Sequence, residues 1–148
     1  MTDTLPILLV EDNEADVELA LRAFKRRRLA NPIVVARDGE EALNYVHQRG
    51  PFTHAAAVPA VILLDLRLPK LSGLEVLREI KSHPVYKHVP VVVLTTSSED
   101  RDIQSCYELG AASYIVKPVE YDKFQEVVDR IDLYWIVTNV PSPLVEGR

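Results

Sequence analysis

Six side chains able to do chemistry stand directly after short apolar runs. Glu11 and Asp12 follow Ile7–Val10, Asp65 follows Val61–Leu64, Thr95 and Thr96 follow Val91–Leu94, and Lys117 follows Ser113–Val116. Carboxylates gathered within a few ångströms repel, and a proton or a cation must relieve that repulsion. Hard oxygen ligands with room left for water suit Mg²⁺, which keeps part of its hydration shell. A cation there also meets a phosphoryl oxygen, leaving the other oxygens to the Lys117 ammonium and the Thr95 and Thr96 hydroxyls. Phosphoryl transfer asks mainly for such positioning and charge neutralisation. A carboxylate nucleophile in that setting, Asp65, becomes an aspartyl phosphate. Singly, each residue has an ordinary reading: an Asp caps a helix, a strand-end Thr bonds backbone, a lysine is solvated. Capping does not explain why all of them end on strands of one sheet.

The elements that must position them are five repeats of strand then helix. Besides the four runs above, Ile33–Ala36 is a short apolar run, ending in the turn-like Arg37-Asp38-Gly39. Without polar alternation, the runs predict strands buried on both faces, as in a parallel sheet covered by helices. Between them lie amphipathic stretches. Asp12 or Asn13 caps the first, with Val17, Ala20, Leu21 and Phe24 inward. The second spans Glu40–Gln48, the third Gly73–Lys81 and the fourth Glu99–Leu109, with Ile103, Cys106 and Tyr107 inward and Gly110 as the stop. The fifth starts at Tyr121. Parallel strands need right-handed helical crossovers, so five such units predict a doubly wound α/β fold. Ligands of such sheets lie beyond the carboxyl ends of the strands, where the six residues stand. The longest loop, Arg49–Pro59, precedes the third strand.

Composition narrows the function classes. A chain of 148 residues, 47% hydrophobic and 26% charged, is the size and make-up of one globular domain. No apolar run is long enough to span a membrane, and the start lacks a signal-peptide pattern. A net charge of −5 argues against nucleic acid as partner. The basic run Lys25–Arg28 closes a helix, where cations offset the dipole. One cysteine, Cys106, cannot form an internal disulfide, which points to a reducing cytoplasm. His47, His54, His83 and His88 show no paired ligand spacing.

Taken together, Leu8-Leu-Val-Glu-Asp-Asn13, Leu63-Leu-Asp-Leu-Arg-Leu-Pro69 with Gly73, Val93-Leu-Thr-Thr96 and Tyr114-Ile-Val-Lys-Pro118 resemble the receiver domains of two-component response regulators. The resemblance covers about residues 6–137. It implies a flavodoxin-like sheet of order 2-1-3-4-5. It also implies Asp65 as phosphoacceptor, Mg²⁺ on Glu11, Asp12, Asp65 and the Arg67 carbonyl, and Thr95 and Lys117 on the phosphoryl group. Tyr114 becomes an aromatic switch partnered with Thr95, and Lys117–Pro118 a cis peptide. Within the family, the long loop, the Leu-Thr-Thr-Ser strand end and the aromatic last helix are most similar to stand-alone regulators partnered with bacterial phytochromes. A histidine kinase of phytochrome type is the implied donor. Arg67 departs from the family's commoner Asn or Met and places a long cation over the site.

The end of the chain adds a partner. Phe124, Val127, Val128, Ile131, Tyr134 and Trp135 share one helical face, which should pack on the sheet. Leu133, Ile136, Val137 and Val140 fall on the other face, and an apolar second face predicts a homodimer. The alternative is a helix ending near Trp135 with an arm folded back. The expected organisation is a receiver unit over 1–140 and a tail over 141–148. The chain is then a phosphorylation switch acting on an unidentified downstream protein, not a turnover enzyme. Two other readings compete. A vestigial dimerising scaffold would have lost part of the acid–lysine set, which is intact here. An aspartyl-nucleophile phosphohydrolase needs a general acid where Arg67 stands.

Overall fold

The computed structural model describes residues 5–27, 31–53, 57–117 and 120–131. Arg28, His54, Pro118, Leu133, Tyr134, Trp135, Ile136, Val137, Val140 and the 141–148 tail lie outside the described residues. Five strands, β1 (Ile7–Val10), β2 (Ile33–Ala36), β3 (Val61–Leu64), β4 (Val91–Thr95) and β5 (Ser113–Val116), alternate with five helices. These are α1 (Glu14–Arg27), α2 (Gly39–Val46), α3 (Gly73–Ser82), α4 (Asp100–Glu108) and α5 (Tyr121–Ile131). All neighbouring strands are parallel, in the order β2-β1-β3-β4-β5. This is the doubly wound arrangement expected from the sequence.

Strand period two divides the core between the faces of the sheet. Leu8, Val10, Ile62, Leu64, Val91 and Val93 pack with Val76, Leu77 and Ile80 of α3 and Cys106 of α4. Ile7, Leu9, Val61, Leu63, Val92 and Leu94 pack with Val17, Ala20 and Phe24 of α1 and Phe124 and Val128 of α5. Strands β1, β3 and β4 are buried throughout, as their unbroken apolar runs require. The edge strands are not: β2 and β5 are largely half-covered, and Val116 is exposed. An edge strand has a neighbour on one side only, so an apolar run there does not secure full burial.

Helix ends follow local chemistry. Asn13 Oδ1 accepts from the Asp16 N–H at 3.0 Å and caps α1. Asp38, read as part of a turn, instead caps α2 by accepting from the Glu41 N–H at 2.7 Å, so α2 begins at Gly39. Ser72 and Glu75 form a reciprocal capping box at α3. Leu21 and Tyr107, expected inward, are exposed, while Ala23 is buried instead. The basic run also docks α1 on α5: Arg27 Nε lies 3.6 Å from Asp129, and the Arg26 guanidinium stands 5.8 Å from the Tyr121 ring centroid. In the long loop, Phe52 packs edge-on to Tyr45, with ring centroids 5.1 Å apart. Among the described residues, no helix is long and apolar enough to cross a membrane.

Candidate functional site

Parallel register decides which side chains meet at the rim. Val10 of β1 stands beside Ala36 of β2 and Leu64 of β3, so Glu11 and Asp65 are neighbours one step further on. Each is still held by the ladder. The Glu11 N–H donates to the Ala36 carbonyl at 2.9 Å, and the Asp65 N–H to the Val10 carbonyl at 3.1 Å. The Lys117 N–H likewise donates to the Thr95 carbonyl at 2.7 Å. These residues therefore stand on the last rungs of the sheet rather than in free loops.

One carboxylate oxygen from each of Glu11, Asp12 and Asp65 lies within 4.8 Å of the other two. Glu11 and Asp65 are buried, whereas Asp12 faces water. Into this cluster reaches Lys117, its Nζ 2.7 Å from Glu11 Oε1 and 3.3 Å from Asp65 Oδ2. A third carboxylate, Asp16 Oδ2, takes the same ammonium at 2.7 Å. The second oxygens of Asp65 and Glu11 are engaged by backbone. Asp65 Oδ1 accepts from the Arg67 N–H and Glu11 Oε2 from the Asn13 N–H, each at 3.2 Å.

One ammonium cannot neutralise four carboxylates. Burial, opposed by the hydrogen bond from Lys117 and reinforced by the charge on Asp65, pushes the Glu11 carboxyl up to about 7. Burial alone would lower the Lys117 ammonium, but its bonds to Asp16 and Glu11 outweigh burial and hold it charged, above the usual lysine range. The cluster is thus short of positive charge. Its donors are hard oxygens, and exposed Asp12 leaves a side open to water. That donor set fits a small divalent cation that retains part of its hydration shell.

A close helix start fixes the segment after Asp65. The Gly73 N–H donates to the Leu66 carbonyl at 2.8 Å. A Cβ on Gly73 would stand 2.3 Å from the Asp65 carbonyl oxygen and 2.4 Å from Leu66 Cα. Only a residue without a side chain lets α3 begin against the acidic strand end.

The sequence model for the response regulator receiver domain matches residues 7–129. The chain belongs to that family. Similar receivers include Rcp1 of Synechocystis sp., 39% identical over 132 residues, 89% of each chain. The crystal structure of its Mn²⁺-bound form superposes with a TM-score of 0.83, covering 93% of this receiver and 99% of that chain. The phosphorylated cyanobacterial phytochrome response regulator RcpA is 42% identical, with a TM-score of 0.85 over 95% of this receiver and 100% of that chain. A relative named "Probable methanogenesis regulatory protein FilR2", from Methanothrix harundinacea, is also 42% identical, over 95% of this receiver and 90% of its own length.

Within this receiver, Thr95 is fully buried at the end of β4, and Thr96 and Arg67 are exposed. Thr95 and Tyr114 meet through Ser97. The Ser97 N–H points to Thr95 Oγ1 at 3.5 Å, and the Tyr114 hydroxyl donates to the Ser97 carbonyl at 2.8 Å. Ser97 Oγ donates to Asp102 of α4 and accepts from the Glu99 N–H. Burial raises the Tyr114 phenol above its usual range, and its bond to Ser97 and the nearby Arg67 charge oppose that.

Sequence reasoning missed Ser97 and Asp16. Ser97 was hidden in a run of four hydroxyl residues. Asp16 lies in the first turn of α1, where an acid is adequately explained by the helix dipole.

Proposed function

We propose that this receiver takes one phosphoryl group onto Asp65 from the phosphohistidine of a histidine kinase and passes the change on through protein contacts. The observation that carries the reading is the placement of Lys117 Nζ 3.3 Å from Asp65 Oδ2, at the edge of an acid cluster whose oxygens lie within 4.8 Å. In the transfer, an Asp65 oxygen attacks phosphorus, the phosphorus–nitrogen bond breaks, and the donor imidazole leaves with the bonding pair. Glu11, Asp12, Asp65 and the Arg67 carbonyl are the residues that would hold Mg²⁺. That ion supplies charge neutralisation to the phosphoryl oxygens when bound. Support comes from the hard donor set and from Rcp1, whose structure is a Mn²⁺-bound form. Thr95, Thr96 and Lys117 take the phosphoryl oxygens. Thr95 and Tyr114 reorient. Arg67 alters the lifetime of the phosphoryl group. Beyond its own phosphorylation and slow dephosphorylation the receiver turns nothing over.

A phytochrome-type kinase is supported by the name of RcpA, a cyanobacterial phytochrome response regulator. FilR2, equally identical, is named for methanogenesis regulation and does not favour that choice of kinase. The single buried cysteine, Cys106, fits a cytoplasm, its thiol pushed up to about 11 by burial and the Asp102 charge. Incubation with Mg²⁺ and acetyl phosphate is expected to add the mass of one phosphoryl group, and EDTA to abolish the addition. Labelling that persists in EDTA would refute the metal-assisted site.

The receiver unit, in this reading, runs to residue 140 and dimerises through Leu133, Ile136, Val137 and Val140. The apolar second face of the last helix in the sequence supports it. Truncation after Tyr134 is expected to convert a dimer into a monomer by sedimentation velocity. An unchanged dimer would place the interface elsewhere.

A further inference from the structure

The Lys117 ammonium has three carboxylate partners, and the nearest two are at equal distance: Glu11 and Asp16, each at 2.7 Å. Only Glu11 belongs to the cluster fit to hold a cation. Both of its oxygens are occupied, one by Lys117 and the other by the Asn13 N–H. A divalent ion arriving at Glu11 therefore displaces the ammonium or shares an oxygen with it, against the repulsion of like charges. Asp16 stands on α1, outside the cluster. With Lys117 it lines a small pocket walled by Leu19, Leu94 and Phe124. Apolar walls weaken screening, so the Asp16–Lys117 pair is stronger than an exposed one.

We propose that Asp16 is a positioning residue that anchors Lys117 beside Asp65 while Glu11 is given over to the divalent cation. This rests on the phosphoacceptor reading above. Without Asp16 the ammonium keeps Glu11 and Asp65 as its only carboxylate partners among those described, and binds them at the cation's expense. With Asp16 it retains a charge-assisted bond from the α1 side after Glu11 turns to the metal. Asp16 thus lowers the cost of metal entry by acting on the lysine.

The test is a MgCl₂ titration of the full chain followed by amide NMR shifts at the rim, for wild type, Asp16→Asn, Asp16→Glu and Lys117→Met. Asp16→Asn is expected to weaken Mg²⁺ binding by about threefold to tenfold, the range of a partly buried charge pair. Asp16→Glu should restore part of the affinity, and Asp16→Asn should change little when Lys117 is already Met. Unchanged affinity in the Asn variant would overturn the anchor. So would an equal loss in the Lys117→Met background, because Asp16 would then act as a bare field. Wild type that binds no Mg²⁺, or takes no phosphoryl group from acetyl phosphate, would instead overturn the phosphoacceptor reading itself.

Discussion

Asp65→Asn is expected to reduce phosphoryl incorporation from acetyl phosphate to below about 1% of wild type, because the amide is no nucleophile for phosphorus. The substitution keeps the shape of the side chain but not its bonds. Asp65 Oδ1 accepts from the Arg67 N–H and Oδ2 from Lys117. An amide satisfies one of these donors with its oxygen and presents its NH₂ to the other. The neighbouring acids do not substitute for it. Glu11 is buried and already bonded on both oxygens, and Asp12 stands out in water. Intact mass with peptide mapping reads the result. Full labelling of the variant, or label on Glu11 or Asp12 in wild type, would sink the assignment of Asp65.

Gly73→Ala is expected to cost about 3 kcal/mol of stability, within the range for overpacking against rigid structure. The new methyl would lie 2.3 Å from the Asp65 carbonyl oxygen and 2.4 Å from Leu66 Cα, both backbone atoms. No side-chain rotation relieves that. Either α3 backs away from the strand end, breaking the 2.8 Å bond from Gly73 N–H to the Leu66 carbonyl, or the segment carrying Asp65 moves. The capping box of Ser72 and Glu75 survives in the first case, so helix content should change little while the urea midpoint falls. In the second case phosphorylation slows as well. A midpoint equal to wild type would show that the close approach is not rigid.

Particular residues show how far the sequence was legible. The four-residue apolar runs marked the strands closely, because a buried parallel strand has little room for anything polar. Strand β4 runs one residue further, through Thr95, since that residue still pairs with Val116. Polarity alone marked Thr95 as outside. Spacing puts Leu21 and Tyr107 inward, yet both are exposed, at the margin of their helix's buried stripe. Asp38 reads as a turn residue in the sequence, although the same side chain serves equally as a helix cap. Glu11, Asp12, Asp65 and Lys117 come together as their strand ends predict, because register alone carries them there. Asp16 needed the structure. Its contact with Lys117 spans most of the chain, and no local pattern encodes it. The same holds for Ser97, whose bonds to Tyr114 and Asp102 tie β4, α4 and β5 together.

The last rungs that hold Glu11, Asp65 and Lys117 have a kinetic meaning. Backbone that is already hydrogen-bonded to a neighbouring strand has lost its freedom before any donor arrives. The entropy of assembling nucleophile, acid and ammonium is therefore lost once, when the sheet forms, and not at each encounter. In the phosphoacceptor reading, a donor then needs only to present its phosphorus to a prearranged surface, whether it comes as a protein or as a small acyl phosphate.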